Sequence, residues 1–336
     1  MRLHIAIPDG PVKEEFLPRA TLEMLEDNFD VTYNELGRNY TSEEMYSAIE
    51  GANVVITGWG TPTFIGGPIN ENNTLSLIAH TAGSVAHLVD DAVYEKGIRV
   101  ISGNELFAES VAEGTLAYML SMLRRIPDDI DDMRSGTLWR DGSVSYTRGV
   151  IGRDIGIVGY GMITKHLLRM LKPFGAKIKL YSGHPQDAEF LREYNATQAT
   201  LEEVFSSSVV TLHSALTERT KGLVGKELLS LMPEGAVFIN TSRGAIVKEN
   251  ELIEVLKEGK ISAVLDVFEY EPLSLESPLR RLKNVYPLPH RAGPTNDRRY
   301  DIGLAVAMDT VRFTRGEELT LEISSGYAKR MSRGVK

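Results

Sequence analysis

Short runs of apolar and β-branched residues, each closed by a turn, alternate along the chain with longer stretches whose apolar positions recur every three or four residues. In the first third these runs lie at 3–7, 31–33, 54–57, 77–79 and 98–101. They are too short for helices and too uniformly apolar to have one wet face, so they predict strands buried on both sides. Strands separated by helical patterns predict a parallel sheet layered with helices. A helical pattern over about 107–125 follows. The strand rhythm restarts at Asp154 and continues at 177–181, 209–213, 236–240, 263–267 and 285–288. A second series of βα units is therefore expected, sharing rhythm with the first but no repeated sequence.

Length and composition fit this picture. A chain of 336 residues, 42% hydrophobic, can bury a large core and exceeds the usual size of one domain, so two domains are expected. No stretch approaches the roughly 18 uninterrupted apolar residues of a membrane span. The run at 3–7 closes on Pro8-Asp9-Gly10 and reads as strand and turn, not as a signal peptide. The absence of cysteine removes disulfides and thiolate chemistry and fits a reducing, cytoplasmic setting. A formal charge of -9 argues against nucleic acid as partner. The basic stretch 329–336 reads as a solvated terminus.

Candidate chemistry begins at Gly159-Tyr160-Gly161-Met162-Ile163-Thr164, which leaves a strand and opens a helix expected to run to about Phe174, with Gly175 as its cap. The first glycine permits a tight turn and the second lets a pyrophosphate approach the backbone, facing helix-terminal N–H groups. Thr164 stands where a third glycine is usual. Gly159, Tyr160, Gly161, Met162 and Ile163 are the cofactor-binding candidates here, joined by His213, Thr241 and Asp266 near later strand ends. After the next strand, where an NAD enzyme usually carries an acid for the ribose hydroxyls, the chain has Tyr181-Ser182-Gly183-His184. The cofactor is thus NAD or NADP, and the missing acid leans the expectation to NADP, with Ser182 and His184 as hydrogen-bonding candidates.

Downstream stand a cation, an anion and an imidazole: Arg243 in Asn240-Thr241-Ser242-Arg243-Gly244, Glu271 in Asp266-Val267-Phe268-Glu269-Tyr270-Glu271-Pro272, and His290 after Leu288-Pro289. Reducing a carbonyl beside a carboxylate needs a cation for the carboxylate and an acid for the new hydroxyl. Arginine offers a permanently charged fork of donors, and imidazole exchanges protons near neutrality. A neighbouring carboxylate would fix the tautomer and raise the imidazole pKa, so that the protonated ring serves reduction and the neutral ring serves oxidation at higher pH.

In these motifs and their order the chain resembles the D-isomer-specific 2-hydroxyacid dehydrogenases, a family that includes glyoxylate and hydroxypyruvate reductases, phosphoglycerate dehydrogenases and formate dehydrogenases. The formate branch usually carries Gln where Glu271 stands. The resemblance implies a Rossmann cofactor domain (103–291) inserted into a flavodoxin-like substrate domain (1–102 and 292–336), with a helix over about 297–313 returning to the first part. It also implies a homodimer, a small 2-keto or 2-hydroxy acid as substrate, and roles for three residues. Arg243 would bind the substrate carboxylate and carbonyl, Glu271 would raise the imidazole pKa, and His290 would donate the proton. His80-Thr81-Ala82-Gly83-Ser84-Val85 matches the family's carboxylate-holding loop, although the second glycine many relatives carry is absent, and Gly83, Ser84 and Val85 are the substrate candidates. Trp59, at a strand end, is a candidate wall for the substrate. Some relatives are nucleotide-responsive corepressors; the complete triad here favours an enzyme.

Overall fold

The computed structural model describes residues 1–65, 74–136 and 147–332, so 333–336 of the basic tail lie outside the described residues. The chain divides into two compact units, Met1–Ala108 with Pro294–Lys336, and Glu109–Gly293.

The first unit is built on five parallel strands, β1 (Arg2–Pro8), β2 (Asp30–Asn34), β3 (Val54–Thr57), β4 (Leu77–His80) and β5 (Arg99–Ser102), in the order β2-β1-β3-β4-β5. This is the flavodoxin-like order. Alternate residues of the inner strands enter opposite cores: Leu3, Ile5, Val54 and Ile56 one, Ala6 and Val55 the other. With both faces covered, these inner strands read as continuously apolar, whereas the edge strand β2 turns Val31 and Tyr33 toward one core and leaves Asp30 and Thr32 exposed. The helix Asn296–Thr314 returns to this unit and adds Ile302, Val306 and Ala307 to one core. Its Asp309 is fully buried and accepts from the Thr320 and Leu321 backbone N–H groups at 3.1 and 2.8 Å, so this carboxylate holds the segment that pairs with β5.

The second unit carries seven parallel strands: β6 (Asp154–Val158), β7 (Lys177–Tyr181), β8 (Ala196–Gln198), β9 (Val209–Leu212), β10 (Val237–Asn240), β11 (Ser262–Leu265) and β12 (Val285–Pro287). Their order, β12-β11-β10-β9-β6-β7-β8, is the Rossmann arrangement extended by one strand. The order reverses between β6 and β9, which opens a crevice at their C-terminal ends. The expected architecture of two doubly wound parallel α/β sheets is therefore what the chain forms. β8 is an addition: it has three residues, only Ala196 is buried, and it lies at the sheet edge, so no apolar run announces it.

Helix α1 (Asn104–Leu123) is succeeded along the chain by α2 (Ile126–Ser135) and, after β6, by α3 (Met162–Leu171). α1 ends where Arg125 takes a left-handed backbone (φ 55°) and Pro127 starts α2. α2 buries none of its residues, which explains why its acidic pattern gave no core signal. α3 stops at Leu171, and a 3-10 turn over Lys172–Phe174 carries the chain to Gly175, since Pro173 cannot extend the α-helical ladder. Among the described residues no helix is long and apolar enough to cross a membrane.

Candidate active site

Neighbouring parallel strands end side by side, and β10, β11 and β12 end in the loops that carry Arg243, Glu271 and His290. The Arg243 loop is fixed by its own polar residues. The Asn240 amide accepts from Ser242 N–H at 3.1 Å and donates to the Arg243 carbonyl at 3.2 Å, while the Ser242 hydroxyl donates to Ser214 O at 2.5 Å. Gly244 is required by a close backbone crossing, since a Cβ there would stand 1.9 Å from the Phe268 carbonyl carbon. That crossing seats the Arg243 loop on the loop that holds Glu271.

Glu271 is oriented from behind and used in front. One carboxylate oxygen accepts from Phe268 N–H at 3.1 Å; the other lies 2.8 Å from His290 Nδ1. This contact assigns a proton to Nδ1 and presents Nε2 as the nitrogen for a ligand. His290 holds a left-handed backbone (φ 54°), uncommon for residues other than glycine though less so for histidine than for most, with the imidazole about half exposed. Burial lowers the Arg243 pKa, opposed by the charge of Glu271, and a guanidinium stays protonated at any working pH. The three groups together offer an anion anchor and a tautomer-fixed acid-base.

At the crevice between β6 and β9 the glycine turn is close-packed on one side and open on the other. Gly159 has φ 106°, and a Cβ on it would meet Ser214 N at 2.5 Å, whereas nothing lies within 4 Å of a Cβ on Gly161. Gly161 caps α3 without a side-chain hydrogen bond, so the first-turn N–H groups of Met162 and Ile163 face space that an anion fits. Thr164 is fully buried and donates to the Gly159 carbonyl at 2.8 Å, the place a third glycine would leave to packing alone. His213, just past β9, is buried with Nδ1 unpartnered, while its Nε2 meets Thr211 Oγ1 at 3.1 Å. An open cradle at a helix start with an orphaned buried nitrogen beside the turn fits a dinucleotide.

Beyond β7, Ser182 Oγ accepts from Gln186 Nε2 at 3.0 Å and from His184 N–H at 3.4 Å. Ser182 also lines a surface groove of about 500 Å³ with Tyr181, Gln198, Thr200, Glu202 and Glu203. Tyr160 packs edge-on against Phe190, with Lys165 over its ring. Thr241 and Asp266 are both buried, and neither points freely outward. Thr241 meets Thr115 on α1, and Asp266 accepts from the backbone N–H groups of Arg291 and Ala292 at 2.7 and 2.8 Å.

In the other unit, Trp59 follows β3 and is 41% exposed, with Phe16 and Phe107 edge-on at 5.3 and 6.0 Å and the Arg299 guanidinium 5.0 Å above its ring. Gly83 and Ser84 follow β4, half-buried. The Ser84 hydroxyl donates to Ser332 O at 2.6 Å, and fully buried Val85 gives its N–H to the Met331 sulfur at 3.5 Å. The C-terminal segment thus already engages part of this loop.

Burial lowers the pKa of three histidines, His4 to about 4 and two others further. His213 in one unit and His80 in the other are each lowered from 6.5 to about 3, His80 with a smaller contribution from His87. The unfolded chain takes up these protons below about pH 6.5 while the fold does not, so stability is full above that point and falls as pH drops toward 3. At pH 5 the loss is on the order of 2 kcal/mol per histidine. Thermal unfolding at pH 5 should therefore begin several degrees below that at pH 7.5, and an unchanged midpoint would contradict it.

The family profile of the D-isomer specific 2-hydroxyacid dehydrogenase NAD binding domain matches residues 116–292, more than half the chain. The chain belongs to this family. Among its relatives, the human glyoxylate reductase/hydroxypyruvate reductase is 33% identical, over 74% of this chain and 77% of that protein. The glyoxylate reductase of Aeropyrum pernix is 30% identical over 91% of this chain and 92% of that one. A crystal structure of a phosphoglycerate oxidoreductase from Rhizobium etli superposes with a TM-score of 0.78 at 25% identity, covering 100% of both chains. A nicotinamide cofactor and oxidoreductase chemistry on small 2-hydroxy or 2-keto acids follow from membership at that coarse level.

Two of the expected site residues are also engaged within the chain: Asp266 accepts from the Arg291 and Ala292 N–H groups, and the Val85 N–H faces the Met331 sulfur. The helix expected over about 107–125 forms as α1 (Asn104–Leu123), but its contacts with the segments that follow β10, β11 and β12 were not foreseen, because Gly114, Thr115 and Tyr118 sit inside an apolar helical pattern that carries no local polar signal.

Proposed function

We propose that this protein interconverts a 2-keto acid and its D-2-hydroxy acid. The observation that carries the proposal is the Glu271–His290 pair with the Arg243 guanidinium, on loops that leave three neighbouring strands. A bound nicotinamide supplies or accepts the hydride. Gly159, Tyr160, Gly161, Met162 and Ile163 would hold its pyrophosphate through turn and helix N–H groups, and His213 and Thr241 are assigned to the nicotinamide end.

Arg243 offers two parallel donors to the substrate carboxylate and polarises the adjacent carbonyl. Glu271 fixes the His290 tautomer, and Nε2 delivers a proton to the carbonyl oxygen or takes it back from the hydroxyl. Reduction consumes that proton and oxidation releases it, so rising pH should favour oxidation. In the other unit, Gly83 and Ser84 are assigned to the substrate carboxylate and Trp59 to its side chain, from their position after strand ends of an open parallel sheet. Val85 is assigned to packing. A corepressor-like role would leave the Glu271–His290 pair without a task.

The coenzyme choice rests on two opposed features. The end of β7 lacks the acid that would repel a ribose phosphate, yet the groove beside Ser182 is lined by Glu202 and Glu203 and, among the described residues, by no cation. Two carboxylates without a cation outweigh one missing acid, so we assign NADH as the preferred coenzyme. The test is turnover of glyoxylate, hydroxypyruvate, pyruvate and longer 2-keto acids with each coenzyme; kcat/KM for NADH should exceed that for NADPH by about tenfold, or about 1.4 kcal/mol. A preference for NADPH would reverse the assignment.

A further inference from the structure

One face of α1 touches the ends of all three strands that bear the proposed chemistry. Gly114 crosses the segment after β12 so closely that a Cβ would stand 2.7 Å from the Ala292 carbonyl oxygen and 3.1 Å from its Cα. One residue on, Thr115 Oγ1 lies 2.9 Å from Thr241 Oγ1, both buried, and Thr115 donates to its own helix at Val111 O, 2.8 Å away. Its one proton is thereby used, which makes Thr241 the donor in the pair. One turn further, the half-buried Tyr118 phenol lies beside Asp266, close enough to feel its charge. Burial first, and the charge of Asp266 second, push that phenol up to about 12, so it remains a donor throughout the working range.

Asp266 is the hub of this arrangement. It is 1% exposed, and its two oxygens accept from the N–H groups of Arg291 and Ala292, the residues that follow His290. His290 keeps a left-handed backbone, which a non-glycine residue holds only where its surroundings fix it. Glu271 holds its ring, and Asp266 holds the chain immediately behind it.

We propose that α1 is the positioning element of the site, with Tyr118 acting through Asp266 on His290 and Thr115 acting through Thr241 on Arg243. The inference rests on the roles proposed for Arg243 and His290. It predicts a division of labour: loosening the His290 side impairs proton transfer, and loosening the Arg243 side impairs capture of the keto acid. A role in folding alone predicts no such division.

The test uses two near-isosteric variants of the full-length protein. Tyr118→Phe removes the hydroxyl beside Asp266 and should lower kcat about tenfold with the keto-acid KM within about twofold. Thr115→Val removes the acceptor for Thr241 and should raise the keto-acid KM about fivefold or more with kcat within about twofold. In a His290→Asn background, Tyr118→Phe should change kcat no further, since the two act in one path. Wild-type kinetics in both variants, equal losses of kcat and KM in both, or an additive loss in the double variant would overturn the proposal. Failure of the underlying assignment looks different: His290→Asn would keep wild-type turnover.

Discussion

His290→Asn is expected to lower kcat by about a thousandfold, the middle of the range for general acid-base catalysis, while the coenzyme dissociation constant changes less than about threefold. Asparagine keeps a hydrogen-bonding side chain and tolerates the left-handed backbone that His290 adopts (φ 54°), so the loop has little reason to rearrange. What is lost is a group that can hold and release a proton. Glu271 cannot substitute, because one of its oxygens is engaged by the Phe268 N–H and the other faced the lost ring. Stopped-flow turnover with saturating coenzyme, alongside coenzyme titration by nicotinamide fluorescence, separates the two quantities. Retained turnover would remove His290 from the chemistry.

Arg243→Met should cost about as much, on a different parameter. The guanidinium is largely buried, and two charge-assisted hydrogen bonds to a carboxylate contribute about 2 kcal/mol each, a combined loss of about a thousandfold in kcat/KM. Methionine keeps the volume and the apolar stem; it loses the guanidinium's own bond to Ser242 O at 2.7 Å, while the Asn240 bonds to Ser242 N–H and Arg243 O and the Ser242 bond to Ser214 O need no guanidinium and should survive. Arg243→Lys should restore only part of the loss, since an ammonium cannot reproduce the planar fork. A kcat/KM within tenfold of wild type for Arg243→Met would show that the carboxylate is held elsewhere.

Much of the fold was legible because it follows from one property, burial of both sheet faces, which writes the inner strands as short apolar runs, while β2 and β7 show as alternating β-rich runs. β8 escaped because an edge strand of three residues with one buried side chain writes no run. α2 escaped for a related reason, having no buried face at all. Arg243, Glu271 and His290 were legible because each stands in a frame whose other members have their own tasks: Asn240 braces its loop, Gly244 permits the crossing with Phe268, and Phe268 orients Glu271.

The rest was hidden by distance along the chain. Asp266 read as a ligand-facing acid, and only the fold shows its two oxygens on Arg291 and Ala292. Ser84 and Val85 read as a substrate loop, and nothing local announces that Ser332 and Met331 reach them. Tyr118 and Thr115 read as ordinary positions of an apolar helix. Their partners lie on strands far downstream, so the pairing is a property of topology and not of any window of sequence.

The reaction itself is tested by product formation from a panel of 2-keto acids supplied with NADH or NADPH, followed by chiral chromatography. Coenzyme-dependent accumulation of the D-2-hydroxy acid from at least one of them is the predicted result. No coenzyme oxidation with any of the acids, or formation of the L-isomer, would contradict it.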